Sequence, residues 1–138
     1  MIQVIYGEKG AGKTKQLIQD INDSVKNETG SIVCIEKGTK LRYDIDIRVR
    51  LIDYQEYTMG SLIFLKGFIS GLHAGNFDIT HIFIDSLNKL IDNATMAEVE
   101  DFLLWCEKFG GANAISFTIA LSEDPANATE TMRKYLEQ

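Results

Sequence analysis

The sequence has little of the residues that build linkers, disulfides and metal sites. Its 138 residues include one proline, two cysteines and two histidines. The single proline, Pro125, excludes a proline-rich linker. Cys34 and Cys106 lie far apart in apolar surroundings, which favours buried free thiols over a disulfide or a metal site. His73 and His81 have no neighbours at metal-ligand spacing. We therefore expect one ordinary domain, residues 1–138, held by its own hydrophobic core.

Long hydrophobic runs are also missing. No stretch approaches the run of about 20 apolar residues that spans a bilayer. The first ten residues, MIQVIYGEKG, lack the basic start and apolar core of a signal peptide. The sequence predicts a cytoplasmic protein without a membrane partner.

Positive charge is scarce, since the formal net charge is −6. This balance makes nucleic acid an unlikely partner, because nucleic-acid binders usually carry a basic footprint. The one local exception is the segment 37–50. Its basic residues are Lys37, Lys40, Arg42, Arg48 and Arg50, set against Asp44 and Asp46. The plain interpretation of this segment is a solvated surface.

The hydrophobic pattern alternates between strand and helix periods along the chain. Strands are predicted at 2–6, 31–36, 44–52, 80–85 and 114–121. Helices are predicted at 13–26, 58–73, 95–109 and from 124 to the C-terminus, with Gly110-Gly111 ending the third. Strands that alternate with helices predict an α/β fold in three layers: a mostly parallel five-stranded sheet with helices on both faces.

Residues 7–14, GEKGAGKT, match the pattern G-x-x-x-x-G-K-[ST] without substitution. The stretch follows a predicted strand and precedes a predicted helix, the context in which this pattern holds a nucleotide phosphate. The glycines let backbone N–H groups curl around the phosphate, and the helix start adds its positive end. The predicted phosphate-binding residues are Gly7, Glu8, Lys9, Gly10, Ala11, Gly12, Lys13 and Thr14. Lys13 would reach the β- and γ-phosphates, and the Thr14 hydroxyl would bind Mg²⁺. The alternative is a glycine-rich turn.

A second magnesium ligand is predicted at Asp85. The residue ends the apolar strand that contains IFID, where a site of this kind places the acid that holds Mg²⁺. The alternative is an aspartate that caps the following turn. Ser86 follows, so a water-activating glutamate does not stand directly after this acid.

The stretch HIFIDSLNKL resembles the corresponding segment of RecA-like and KaiC-like ATPases, within the P-loop NTPase superfamily. In that group the glutamate that polarises water ends the strand after the P-loop helix, and a polar residue ending a later core strand senses the γ-phosphate. The resemblance implies those roles for Glu36 and Ser122. The alternatives are a surface glutamate and a helix-capping serine. The resemblance covers residues 2–122 and extends loosely to small bacterial ATP-binding proteins.

Two functions remain open at this point. The first is a slow Mg²⁺-dependent ATPase, and the second is a nucleotide-sensing module that acts through a partner without hydrolysis. A small-molecule kinase is a more distant alternative, because none of the arginines lies in an evident lid. The chain is too short for the DNA-binding parts of recombinases. ATP preference over GTP is expected because the stretch 88–92 misses the Asn-Lys-x-Asp pattern that reads guanine.

The resemblance also implies a strand order of 3-2-4-5-1, which puts the first strand at an edge. An exposed apolar edge is an aggregation liability. We expect the C-terminal helix to cover it with Met132, Tyr135 and Leu136. The alternative is a homodimer that pairs at this edge. In a dimer one subunit could supply an arginine to its neighbour's phosphates, and the candidates are Arg48, Arg50 and Arg133.

Overall fold

Strands and helices alternate in the computed structural model, which describes residues 1–8, 10, 12–57, 60–91 and 93–135. The strands are β1 (Ile2–Gly7), β2 (Ser31–Glu36), β3 (Arg50–Asp53), β4 (Ile79–Asp85) and β5 (Ser116–Ser122). The helices are α1 (Lys13–Asn27), α2 (Leu62–Gly75), α3 (Leu87–Leu90), α4 (Met96–Asn113) and α5 (Glu130–Arg133). Short 3₁₀ turns lie at Tyr54–Glu56 and Pro125–Asn127.

The five strands form one sheet in the order β1-β5-β4-β2-β3. Every neighbouring pair is parallel, so the sheet is wholly rather than mostly parallel. Read from its other edge the order is 3-2-4-5-1, and this prediction is confirmed. Because all strands run the same way, their carboxyl ends meet at one edge of the sheet.

The core lies in two layers, one on each face of the sheet. On one face α1 buries Leu17 and Ile21 against Phe83 of β4. On the other face α2 and α4 bury residues such as Leu65 and Phe102. Successive side chains of a strand point to opposite faces, so Ile82 and Ile84 of β4 belong to the second layer. The prediction of helices on both faces of a sheet is confirmed.

The predicted strand at 44–52 is wrong in its first part, because β3 begins only at Arg50. The Asp46 carboxylate accepts the backbone N–H of Arg48 at 2.9 Å, and the Val49 N–H donates to the Asp46 carbonyl. Asn22 of α1 donates to the Asp44 carbonyl at 3.1 Å and accepts the Asp46 N–H at 2.9 Å. These bonds favour turns over an extended chain. The expected edge position of this strand is confirmed.

The helix α4 does not end at Gly110-Gly111 as predicted but continues to Asn113. Ala114 then adopts φ 55°, and its N–H donates to the Gly110 carbonyl. A Cβ placed on Gly110 would lie 2.4 Å from the Ile115 carbonyl oxygen. Gly110 is therefore explained by the close approach of the helix to the chain that enters β5, and not by a helix end.

The helix α2 begins later than predicted, since the Ser61 hydroxyl accepts the Phe64 N–H at 3.1 Å and caps it. Thr58 and Met59, where the predicted helix began, lie outside the described residues. The predicted long C-terminal helix is also wrong within the described chain. Asp124 closes a short turn by accepting the Ala126 N–H at 2.9 Å, and Thr129 then caps the short α5.

The outer edge of β1 is covered by the C-terminal segment. The Val4 N–H donates to the Tyr135 carbonyl at 2.7 Å, and Met132 and Tyr135 are both buried in the second core layer. The predicted cover by these two residues is confirmed; Leu136 lies outside the described residues. A homodimer remains a prediction. The bare β1 edge that motivated it is not found in the described chain, because the C-terminal segment covers that edge. Among the described helices, none is both long and apolar enough to cross a membrane.

Candidate functional site

The carboxyl edge of the sheet brings together most of the predicted site residues. Gly7 of β1 is the register partner of Ser122 of β5. Glu36 of β2 is the register partner of Asp85 of β4 on one side and of Asp53 of β3 on the other. By strand alternation, Glu36 and Asp85 share the face of the sheet on which α1 packs. The loop that leads into α1 starts at this same edge.

The described part of the loop has a backbone that glycine alone adopts readily. Gly10 has φ 90° and Gly12 has φ 84°, both in the left-handed region. A Cβ placed on either residue would meet nothing within 4 Å, so open space adjoins the loop. Lys9 and Ala11, also predicted to contact phosphate, lie outside the described residues.

The first turn of α1 is free for an anion. Gly12 is its N-cap and gives no side-chain hydrogen bond, and the first turn contains no acidic residue. By contrast, Ser61 caps α2 and Thr95 caps α4. The N–H groups and positive dipole end of α1 therefore have no anionic side-chain partner in the described chain.

Lys13 forms a hydrogen bond to the residue that follows β1. Its Nζ donates to the Glu8 carbonyl at 2.8 Å. Thr14 is exposed one residue further along α1. Because an anionic phosphate oxygen is a stronger acceptor for an ammonium group than a carbonyl, Lys13 can exchange this bond for a phosphate contact.

Asp85 is half-buried at the end of β4. Burial raises the pKa of its carboxyl group, while the positive charges of Lys89, Lys13 and Lys40 lower it. Its carboxylate accepts no hydrogen bond from the part of the chain that the structure describes. An acid with free lone pairs can bind a cation through water.

Glu36 is buried, with 3% of its surface exposed. Its Oε2 accepts the Leu41 N–H at 3.3 Å, so the carboxylate holds the loop that follows β2. Burial raises the pKa of Glu36, the Leu41 N–H lowers it, and the charge of Asp85 raises it further. Asp53 plays a similar part and accepts the Gly38 N–H at 2.7 Å.

Ser122 belongs to a small polar link between the ends of β4 and β5. Its N–H donates to Asn88 Oδ1 at 2.7 Å, and its hydroxyl oxygen lies 3.4 Å from that of Ser86. From the sequence, Asn88 was considered only within the stretch 88–92, which misses the guanine-reading pattern, and it was given no role at the site. The signal in the sequence was that Asn88 stands three residues after Asp85, because a short turn at that spacing can direct its side chain towards the neighbouring strand.

Lys40 and Lys89 were also missed as site residues. Lys89 lies in the short helix after β4, and Lys40 lies in the loop after β2. Both act on the pKa of Asp85. The pairing of β2 with β4 brings Lys40 to this site, so its spacing in the sequence gave no signal, whereas Lys89 follows Asp85 by four residues.

Metal ligands are sparse at this edge. The described residues contain no group of three or more His, Cys, Asp or Glu side chains that could hold a metal ion. Asp85 and Thr14 could serve Mg²⁺ only together with phosphate and water, which is how that ion is commonly held in proteins.

No known family model matches the sequence, and a search of curated proteins finds no significant match. The functional interpretation therefore depends on the residues of this edge.

Proposed function

We propose that this chain binds ATP with Mg²⁺ at the loop 7–14 and hydrolyses it slowly. The observation that carries the proposal is the start of α1. Gly10 and Gly12 lead in left-handed conformations into a helix whose first turn has no side-chain cap and no acid. A phosphate at that point would receive backbone N–H groups and the helix dipole, as anion sites at helix starts do.

The described residues suit this ligand. The open space beside Gly10 and Gly12 leaves room for phosphate oxygens close to the backbone. Lys13 is close enough to Asp85 for its charge to lower the pKa of that acid, so a cation and an acid flank the same place. Thr14 and Asp85 would hold Mg²⁺, which when bound would neutralise phosphate charge.

Hydrolysis would depend on Glu36 and Ser122. Glu36 is the register partner of Asp85 and lies on the same face of the sheet. Burial raises its pKa, which is the direction that makes a carboxylate a better proton acceptor. Ser122 is held by Asn88 at the end of β5, next to the end of β1 from which the loop starts.

One observation favours the second function, a nucleotide sensor that does not hydrolyse. The Glu36 carboxylate is already used, since it accepts the Leu41 N–H. To orient water it must keep that bond and offer a second lone pair, or release the loop after β2. In the sensor, Glu36 keeps only its structural bond and a partner reads the bound nucleotide.

Phosphate release and thermal unfolding together test both functions. ATP-Mg²⁺ should raise the Tm of the wild type, because a ligand of the native state stabilises it. Glu36→Gln keeps an oxygen that can accept the Leu41 N–H, so it should keep this Tm rise. A slow ATPase predicts phosphate release that Glu36→Gln reduces at least tenfold. Lys13→Ala should reduce both signals at subsaturating ATP, because its ATP affinity is weaker, and it controls for contaminating ATPases. Release that is equal in wild type and Glu36→Gln would contradict the catalytic role, and a Tm unaffected by ATP-Mg²⁺ would contradict both functions.

A further inference from the structure

The outer edge of β3 has no strand beside it within the described part of the chain. β3 pairs only with β2, and it is the last strand of the sheet. Among described residues, no backbone hydrogen bond from outside the sheet reaches Arg50–Asp53. An edge of this kind is a template for another strand. The opposite edge differs, because the C-terminal segment binds to Val4 of β1.

Two cavities flank this edge. The first, of about 600 Å³, lies beside the loop that precedes β3 and is lined by residues such as Ile45 and Leu51. The second, of about 480 Å³, lies beside α2 and is lined by residues such as Phe68 and Leu72. Both are also lined by Arg50, Ile52 and Tyr57, and so they meet along β3.

The two cavities take most of their apolar lining from opposite faces of the sheet. Leu51 packs with the α1 layer, whereas Phe68 and Leu72 pack with the α2 layer. Successive side chains of an added strand would therefore enter the two cavities alternately. Strand addition gains affinity from backbone hydrogen bonds and specificity from such alternate pockets.

Two glycines of α2 keep the second cavity open. Gly71 and Gly75 line it, and a Cβ placed on either would meet nothing within 4 Å. Larger residues here would fill the cavity without disturbing the core. Gly67 lies one turn earlier on α2, is equally free of neighbours and lines neither cavity.

The charge around the edge indicates the kind of partner. Arg42 and Arg50 line the first cavity and form no ion pair with the described residues. The first cavity is also lined by three acids, Asp46, Asp53 and Glu56, so its charge is mixed. Of these acids, Asp46 is paired with Arg48 at 2.9 Å. The molecule as a whole has a net charge of −6. The second cavity differs from the first, because Arg48 and Arg50 line it and no acid is among its described lining residues, so it is complementary to acidic side chains of a partner.

We propose that the outer edge of β3 binds an extended acidic segment of a partner protein as a sixth strand. The segment alternates acidic residues with β-branched residues, and these enter the two cavities beside β3. A second copy of this chain is a poorer occupant, because pairing two β3 edges would bring their basic segments 37–50 together. This surface is distinct from the loop 7–14, so the proposal holds whether or not ATP is bound.

The test uses a fluorescein-labelled (Val-Glu)₄ peptide, acetylated and amidated at its ends, with a (Val-Lys)₄ peptide as its charge control. We expect saturable fluorescence anisotropy with the acidic peptide only. Gly71→Leu should weaken this binding at least tenfold by filling the second cavity, and Arg50→Glu should do the same through charge. Gly67→Leu is the matched control on α2 and should bind as the wild type does. Circular dichroism checks that each variant is folded. If Gly71→Leu is not folded, the binding of the acidic peptide to Arg50→Glu and Gly71→Ala tests the proposal instead.

Three results would overturn the proposal. The first is no saturable binding of the acidic peptide up to about 1 mM, the weak end of measurable affinities. The second is binding that the Gly71 and Arg50 variants leave unchanged. The third is light scattering that shows a wild-type dimer converted to a monomer by Gly71→Leu, because a second copy would then occupy this edge.

Discussion

Glu36 and Asp85 are register partners at the carboxyl ends of neighbouring parallel strands. Burial raises the pKa of both, and the charge of Asp85 further raises that of Glu36. Two desolvated acids side by side destabilise the folded state unless a cation lies between them or near them. Three positive charges partly offset this destabilisation at Asp85, those of Lys13, Lys40 and Lys89. Under the proposed function, a bound Mg²⁺ would offset more of it.

The first prediction concerns the pH dependence of stability at Glu36. Its pKa is higher in the folded state than in the unfolded chain, where it is about 4.3. The folded state therefore binds more protons in the interval between the two values, and stability falls as pH rises through it. Glu36→Gln removes this titration. Urea unfolding from pH 4 to 7 should show the variant gaining free energy of unfolding relative to wild type as pH rises. A difference that is flat, or that shrinks with pH, would contradict the raised pKa.

A second prediction uses the two neighbouring glycines of α4. Gly110→Ala should destabilise the protein by about 1–3 kcal/mol, since its Cβ would meet the Ile115 carbonyl oxygen at 2.4 Å. Gly111→Ala is the matched control, because a Cβ there meets nothing within 4 Å. It should stabilise by up to about 1 kcal/mol through helix propensity. Chemical unfolding of both variants checks the pair, and equal effects would mean that the close approach at Gly110 is wrong.

The third prediction concerns His81, which lies at the opposite end of the sheet from the loop 7–14. Its Nδ1 is 2.8 Å from Glu28 Oε2, its Nε2 is 2.8 Å from Thr118 Oγ1, and its ring stacks on Phe83. Burial lowers the pKa of His81, whereas Glu28 and, more weakly, Asp20 raise it.

The consequence is a loss of stability in acid. Since the folded pKa of His81 is below its ordinary value of 6.5, the unfolded chain binds its proton more readily, and stability falls as pH drops below that value. An NMR titration, with the signal assigned by His81→Asn, should give a midpoint below 6.5. Glu28→Gln should lower the midpoint further, because it removes the negative partner. A midpoint above 6.5, or a midpoint that is higher in Glu28→Gln than in the wild type, would contradict this environment of His81.

The sequence predicted the strand ends because these follow from short patterns, whereas the sheet order was implied only by the resemblance carried by the stretch HIFIDSLNKL. Each strand of the core is an apolar run, and Glu36 and Asp85 follow such runs directly. The segment 44–49 was mispredicted for a different reason. Its alternation has the period of a strand, but Asn22 from α1 and the Asp46 carboxylate hold it in turns. A contact between residues so far apart in sequence leaves no local signal.

The residues of the candidate site were likewise predictable only in part from the sequence. The residues of the loop were visible because the pattern GEKGAGKT is contiguous. The surroundings of Asp85 were only partly visible, since Lys40 reaches it from the end of a different strand. The bond from the Leu41 N–H to Glu36 was also hidden, because it depends on how the loop after β2 folds back.

The most direct measurement is calorimetric titration of ATP-Mg²⁺ into the wild type, Lys13→Ala and Lys15→Ala. Both lysines lie in the first turn of α1, but of the two only Lys13 forms a hydrogen bond with the described part of the loop, to the Glu8 carbonyl at 2.8 Å. Loss of a charge-assisted contact costs about 1.5–3 kcal/mol, so Lys13→Ala should weaken affinity at least tenfold. Lys15→Ala should change it much less, because an exposed charge acts weakly through solvent. Equal ATP affinity in wild type and Lys13→Ala, or no ATP binding by the wild type, would contradict the proposed nucleotide site.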